Sequence, residues 1–148
     1  MTILVATDGS QAAKAGARLA CELARATGDE LLFLTVWHEL RGDFGVSLGK
    51  LVPDLLDVER EHAADVLAAA KREAEAAGVP AKTLSRRGDA AHEICRVADE
   101  HRVRMIVIGS HGQGAIERTL FGSVAHAVVH TAPCPVLLVP GREEPLGP

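Results

Sequence analysis

Glycines and short polar residues gather at two places in this sequence. One is Thr7-Asp8-Gly9-Ser10. The other is Gly109-Ser110-His111-Gly112-Gln113-Gly114, with nine residues separating Gly112 from a later Gly122-Ser123 pair. Clustered glycines let backbone amides approach a bulky anion with no Cβ in the way. Gly122-Ser123 opens a helical pattern, and a helix start offers unpaired amides at the positive end of its dipole. Ser123 adds a hydroxyl donor, and His111 a ring N–H whose hold on phosphate strengthens on protonation. Asp8 is a poor partner for bare phosphate, because two anions at close range repel. The spacing suggests polyanion chemistry, although a tight turn ahead of a helix accounts for the glycines equally well. No Gly-x-x-x-x-Gly-Lys-[Ser/Thr] is present, and Gly109–Gly114 runs G-x-x-G-x-G, so neither a P-loop nor a Rossmann dinucleotide fingerprint is read.

The elements that must carry these clusters are short apolar runs alternating with alanine-rich helical patterns. Ile3–Asp8 is a first strand, and Ser10 caps the helix after it by accepting from first-turn amides. Within Gln11–Thr27, Ala13, Gly16, Ala17, Ala20, Leu23 and Ala24 share one helical face, and Gly28 stops the helix. Glu30–Trp37 is nearly continuously apolar, as suits a strand covered on both faces. Arg41–Pro53 reads as a long mobile loop, followed by a helix from about Asp54 to Ala77 whose charges form a solvated face. Ala81–Arg86 is a weaker third strand, Asp89–Arg102 a helix with Ile94, Val97 and Ala98 inward, and Arg104–Ile108 a fourth strand ending at Gly109. Ser123–Thr131 is helical and Val136–Val139 is a fifth strand. This alternation predicts an α/β fold, one layered domain over residues 1–148, with a mostly parallel sheet and helices on both faces. Such sheets bind ligands at strand carboxyl ends, where the strand order switches.

Composition narrows the function classes. Lys+Arg 16 against Asp+Glu 20 gives a net charge of −4, and Phe 3, Trp 1 and Tyr 0 leave little stacking surface. No nucleic-acid partner is expected of such a chain. The start, Met1–Ala6, lacks a basic region and reaches Asp8 early, so no signal peptide is read, and no apolar run is long enough to cross a membrane. Cys21, Cys95 and Cys134 form no Cys-x-x-Cys pair and read as reduced, buried small side chains of a cytoplasmic protein.

The sequence resembles the ATP-binding branch of the universal stress protein family. The likeness runs from Ile3–Ser10 to Ala132–Pro140, and Gly109–Ser123 fits the family's nucleotide motif, G-x2-G-x9-G-[S/T], in full. The resemblance implies a five-stranded parallel sheet of order 3-2-1-4-5, which places the switch between strands one and four. It implies ATP contacts from Ala6, Thr7 and Asp8, with Asp8 on the ribose or on a Mg²⁺ held by the nucleotide. Val36 would pair its backbone with the adenine edge. Ile108, Gly109, His111 and Gly112 would line ribose and phosphates, while Gly122, Ser123 and Val124 grip the phosphates. It also implies a homodimer through Val136–Val139, an edge strand in that order and a fully apolar one.

No lysine lies in Gly109–Ser123, where Arg118 is the one permanently charged cation, so Mg²⁺-assisted and moderately tight binding is expected. The function read is an ATP-binding stress-response or signalling module. A slow ATP hydrolase or phosphotransferase using the same pocket, and a structural domain with an empty glycine loop, are the alternatives. No dedicated nucleophile–base pair is visible. Arg41–Pro53 would lie over the site as a lid. His126 and His130 have metal-binding spacing but no third ligand nearby, and read as surface or packing histidines. Cys134 lacks a resolving partner for redox chemistry, and Arg86-Arg87 reads as a solvent-exposed pair away from the switch point.

Overall fold

A computed structural model describes residues 1–38, 53–111 and 122–141. In chain order these form β1 (Thr2–Ala6), α1 (Gln11–Thr27), β2 (Glu30–Trp37), α2 (Pro53–Ala76), β3 (Ala81–Arg87), α3 (Ala90–Glu100), β4 (Met105–Gly109), α4 (Ser123–Thr131) and β5 (Val136–Val139). The five strands make one parallel sheet of order β3-β2-β1-β4-β5, as the resemblance implied.

Strand pleating explains the unbroken apolar runs. Ile3 and Val5 of β1, with Leu31 and Phe33 of β2 and Val107 of β4, face Ala17, Ala20 and Ala24 of α1 and Leu67 and Ala74 of α2. Leu4 and Ala6, with Leu32, Leu34, Ile106 and Ile108, face Ile94, Val97 and Ala98 of α3 and Ala125 and Val128 of α4. Each face must be apolar because each is covered by helices. The small alanine face of α1 lets that helix lie close to the sheet. It ends at Gly28, whose φ of 78° is left-handed and whose N–H donates to the Ala24 carbonyl at 2.8 Å.

Two expectations are corrected. The three free cysteines are half-buried rather than buried, and burial raises the thiol pKa of Cys21 and Cys134. The helix expected to reach Arg102 stops at Glu100, because the chain turns at His101 and Arg102 takes a positive φ of 47°.

At the amino-terminal end of the sheet, Asp29 is buried and held from three sides. Thr27 Oγ1 donates to it at 2.7 Å, Arg104 Nε lies 2.7 Å away and the Met1 ammonium 3.0 Å away. The Thr27 hydrogen bond leads in lowering its pKa to about 2, against the opposing effect of burial, and the Met1 and Arg104 contacts add to it. At one lateral edge, beside β4, β5 closes the sheet. Ile106 N–H donates to the Pro135 carbonyl and Ser110 N–H to that of Val139, each at 2.9 Å. By strand alternation, the backbone groups of Val136 and Leu138 face the open edge.

Candidate functional site

β1 and β4 lie side by side, with Ala6 paired opposite Ile108, so the two polar clusters leave the sheet as neighbours. After β1, Thr7 N–H still reaches the Leu34 carbonyl at 2.9 Å, and Thr35 Oγ1 donates to the Thr7 carbonyl at 2.8 Å. The chain then turns. Asp8 Oδ1 accepts from Ser10 N–H at 2.9 Å, which is an Asx-turn. Thr7 Oγ1 accepts from Gly9 N–H at 3.3 Å, where φ is 80°. Ser10 caps α1 as expected, its Oγ accepting from Ala13 N–H at 3.2 Å. The same hydroxyl lies 3.5 Å from the His111 carbonyl and donates to it, so it ties the two loops together.

The β4 side is closed by a second bridge. Ser110 is buried, and its carbonyl accepts from Gly122 N–H at 2.7 Å. That bond seats the start of α4 against the end of β4. Gly122 is the N-cap, with no side-chain cap, and His126 N–H is the first amide to return to its carbonyl, at 3.0 Å. The first-turn amides of Ser123, Val124 and Ala125 therefore precede the helix's own bonding. Ser123 is exposed beside them. Gly122 differs from Ser123 and Val124 in one respect: its own amide is engaged by the Ser110 carbonyl.

Gly109 lacks a side chain for a reason that its motif does not reveal. A Cβ there would stand 2.8 Å from the Ala12 carbonyl carbon and 2.9 Å from Ala13 N. The glycine admits the first turn of α1 to the end of β4. His111 is half-buried, and its Nδ1 is buried with no hydrogen-bond partner among the described residues.

Val36 lies two residues past Leu34, the register partner of the last β1 residue, Ala6. Leu34 directs its carbonyl to Thr7, while Trp37 directs its carbonyl away from β1, to Gly88 N–H at 3.0 Å. Alternation therefore turns the N–H and C=O of Val36 toward the β1 side, beyond the last β1 residue, Ala6. This is the geometry needed for edge-on pairing with a planar base.

The structure thus brings together Ala6, Thr7, Asp8, Ile108, Gly109, His111, Gly122, Ser123 and Val124, with Val36 flanking. Gly112, Arg118 and the expected lid segment ahead of Pro53 lie outside the described residues. Arg86 is not a free solvent-exposed cation. Its guanidinium pairs with Glu100 at 3.0 Å, beside an Arg96–Glu93 pair at 3.0 Å in which Glu93 is buried. This ties β3 to α3 rather than feeding the crevice. A cleft of about 290 Å³ between α1 and α2 touches the set only at Thr7, and is otherwise walled by residues such as Gly9, Lys14, His62, Asp65 and Glu73. Lys14 was not singled out in the sequence; its signal was its place one helical turn after the Ser10 cap. Among the described residues no three His, Cys, Asp or Glu side chains converge on a metal position, and no helix is long and apolar enough to cross a membrane.

Known proteins share this architecture. The universal stress protein YxiE of Bacillus subtilis is 32% identical over 143 residues, covering 93% of this chain and 97% of that protein. The structure of UspA from Lactobacillus plantarum superposes with a TM-score of 0.83 at 29% identity, covering 94% of this chain and 97% of that one. A universal stress protein from Archaeoglobus fulgidus, solved in complex with dAMP, gives a TM-score of 0.67 at 25% identity, covering 94% and 97%. The family's sequence model matches residues 1–140, which span all five strands and the whole crevice: this chain belongs to the universal stress protein family.

Proposed function

We propose that this protein binds ATP with Mg²⁺ in the crevice between the ends of β1 and β4 and works, as a cytoplasmic homodimer, as a nucleotide-dependent stress-response module. In this reading residues 1–148 act as one unit. The observation that carries it is the pair of bridges, Ser10 to His111 and Gly122 to Ser110, which seat an uncapped helix start beside the Asp8 turn. His111 Nδ1, buried and without a hydrogen-bond partner among the described residues, lies at the same place, and a phosphate oxygen would supply one. Val36 presents the donor and acceptor that a base edge requires. The dAMP held by the Archaeoglobus fulgidus relative supports an adenine nucleotide as the ligand class.

The donors fit the ligand. Ser123 and Val124 amides with the Ser123 hydroxyl would hold phosphate oxygens. Asp8 has one oxygen on Ser10 N–H and is a hard oxygen ligand suited to Mg²⁺ or to a ribose hydroxyl. The ion would supply the positive charge that a lysine-free loop lacks. The dimer reading rests on the apolar β5, whose edge backbone offers a second copy a row of hydrogen-bonding groups.

Mass spectrometry of the purified protein, followed by calorimetry with ATP and Mg²⁺, tests the binding. Co-purifying nucleotide and saturable heat are expected, with affinity about tenfold lower for Ser123→Ala and for Asp8→Ala. Absence of binding, or variants indistinguishable from wild type, overturns the reading. A phosphate-release assay on the same proteins separates binding from turnover. A monomeric mass by light scattering at micromolar concentration would refute the dimer.

A further inference from the structure

The outer face of α4 carries a feature that the crevice does not use. Val128 and Ala125 are the buried residues of this helix, whereas His126 and His130 are both exposed. Packing therefore does not account for either imidazole. The two rings nevertheless meet, with centroids 4.5 Å apart in an edge-on arrangement at 64°. Their backbone is fixed at both ends: His126 N–H is bonded to the Gly122 carbonyl at 3.0 Å, and Ala132 N–H to that of Val128 at 2.8 Å. Thr131 Oγ1, which also lies 3.3 Å from Cys95 Sγ, links this last turn to α3. The two side chains are thus mounted on a firm support, four residues apart on one face.

Histidines at i and i+4 converge their ring nitrogens on one point, and imidazole suits zinc, copper and nickel ions rather than magnesium. We propose that His126 and His130 form a two-imidazole site for a divalent transition-metal ion on the outer face of α4, separate from the nucleotide crevice. No third His, Cys, Asp or Glu joins them among the described residues, so water completes the coordination and the ion exchanges freely.

Titration of the untagged full chain with NiCl₂ in a calorimeter, with no nucleotide present, tests this. One saturable site per chain is expected, lost in both His126→Ala and His130→Ala and kept in His92→Ala, which removes an exposed histidine of α3. Circular dichroism of each variant confirms that it is folded, as expected for substitution of exposed side chains. Absence of a saturable site in the wild type, or its survival in either α4 variant, overturns the proposal. Because no nucleotide is used, the result is independent of ATP binding.

Discussion

Gly109 and Ala12 approach so closely that a Cβ on the glycine would fall 2.8 Å from both the Cβ and the carbonyl carbon of Ala12. The contact joins the end of β4 to the first turn of α1, and the obstructing atoms include backbone that cannot rotate away. Gly109→Ala is expected to destabilise the fold by about 1–3 kcal/mol through overpacking, read as a lower urea midpoint. An unchanged midpoint would show that α1 can retreat without cost.

Ser10 Oγ accepts from Ala13 N–H and donates to the His111 carbonyl. Ser10→Ala loses the cap of α1, at a cost of about 1 kcal/mol. Ser10→Thr keeps a hydroxyl and should recover most of that loss. Chemical denaturation of the three proteins checks the order wild type, Thr, Ala.

Asp29 makes folding sensitive to acid. Its carboxyl is held down to about 2 in the folded chain, against an ordinary value of 3.8. On acidification the unfolded chain takes the proton first. The stabilisation is therefore complete above about pH 4 and is lost as pH falls toward 2. Asp29→Asn should lower stability at neutral pH by about 1–3 kcal/mol and flatten this part of the acid-unfolding curve. An equally steep curve in the variant would assign the acid response to other carboxylates.

Magnesium should matter to nucleotide affinity. With neutral amides and His111 as the described phosphate donors, chelation of Mg²⁺ is expected to weaken ATP binding by about tenfold or more, about 1.4 kcal/mol. Equal affinity with and without EDTA would mean that the protein alone balances the phosphate charge.

Much of this fold was legible because its elements are locally consistent. β2, α4 and β5 begin and end where the sequence places them, since an unbroken apolar run between polar stops, or a helix between Gly122 and Pro133, leaves little choice. The buried carboxylates were not legible. Asp29 and Glu93 look like surface acids in a one-dimensional pattern; Asp29 is paired across the fold with Arg104, whereas Glu93 is paired within its own helix with Arg96, three residues on. The crevice was legible as a cluster of residue types at set spacing. The bridge from Ser10 to His111 was not, because it spans 101 positions and depends on β1 and β4 becoming neighbours. Gly109 was read as lining ribose and phosphates and Gly122 as gripping phosphate; not legible was that Gly109 also leaves room for the first turn of α1 and that the Gly122 amide is bonded to Ser110.

All five strands point the same way, so the chain begins at one pole of the molecule and residue 141 emerges at the other. A Cβ on Gly141 would touch Ala12 N at 2.8 Å, whereas Met1 lies against Asp29 across the full length of β1. Five strand residues span roughly 17 Å. A fluorophore is therefore better carried at the exposed Pro140, beside the start of α1, than at position 141 itself, and one attached at Met1 would sit at the far pole and disturb the Asp29 ion pair.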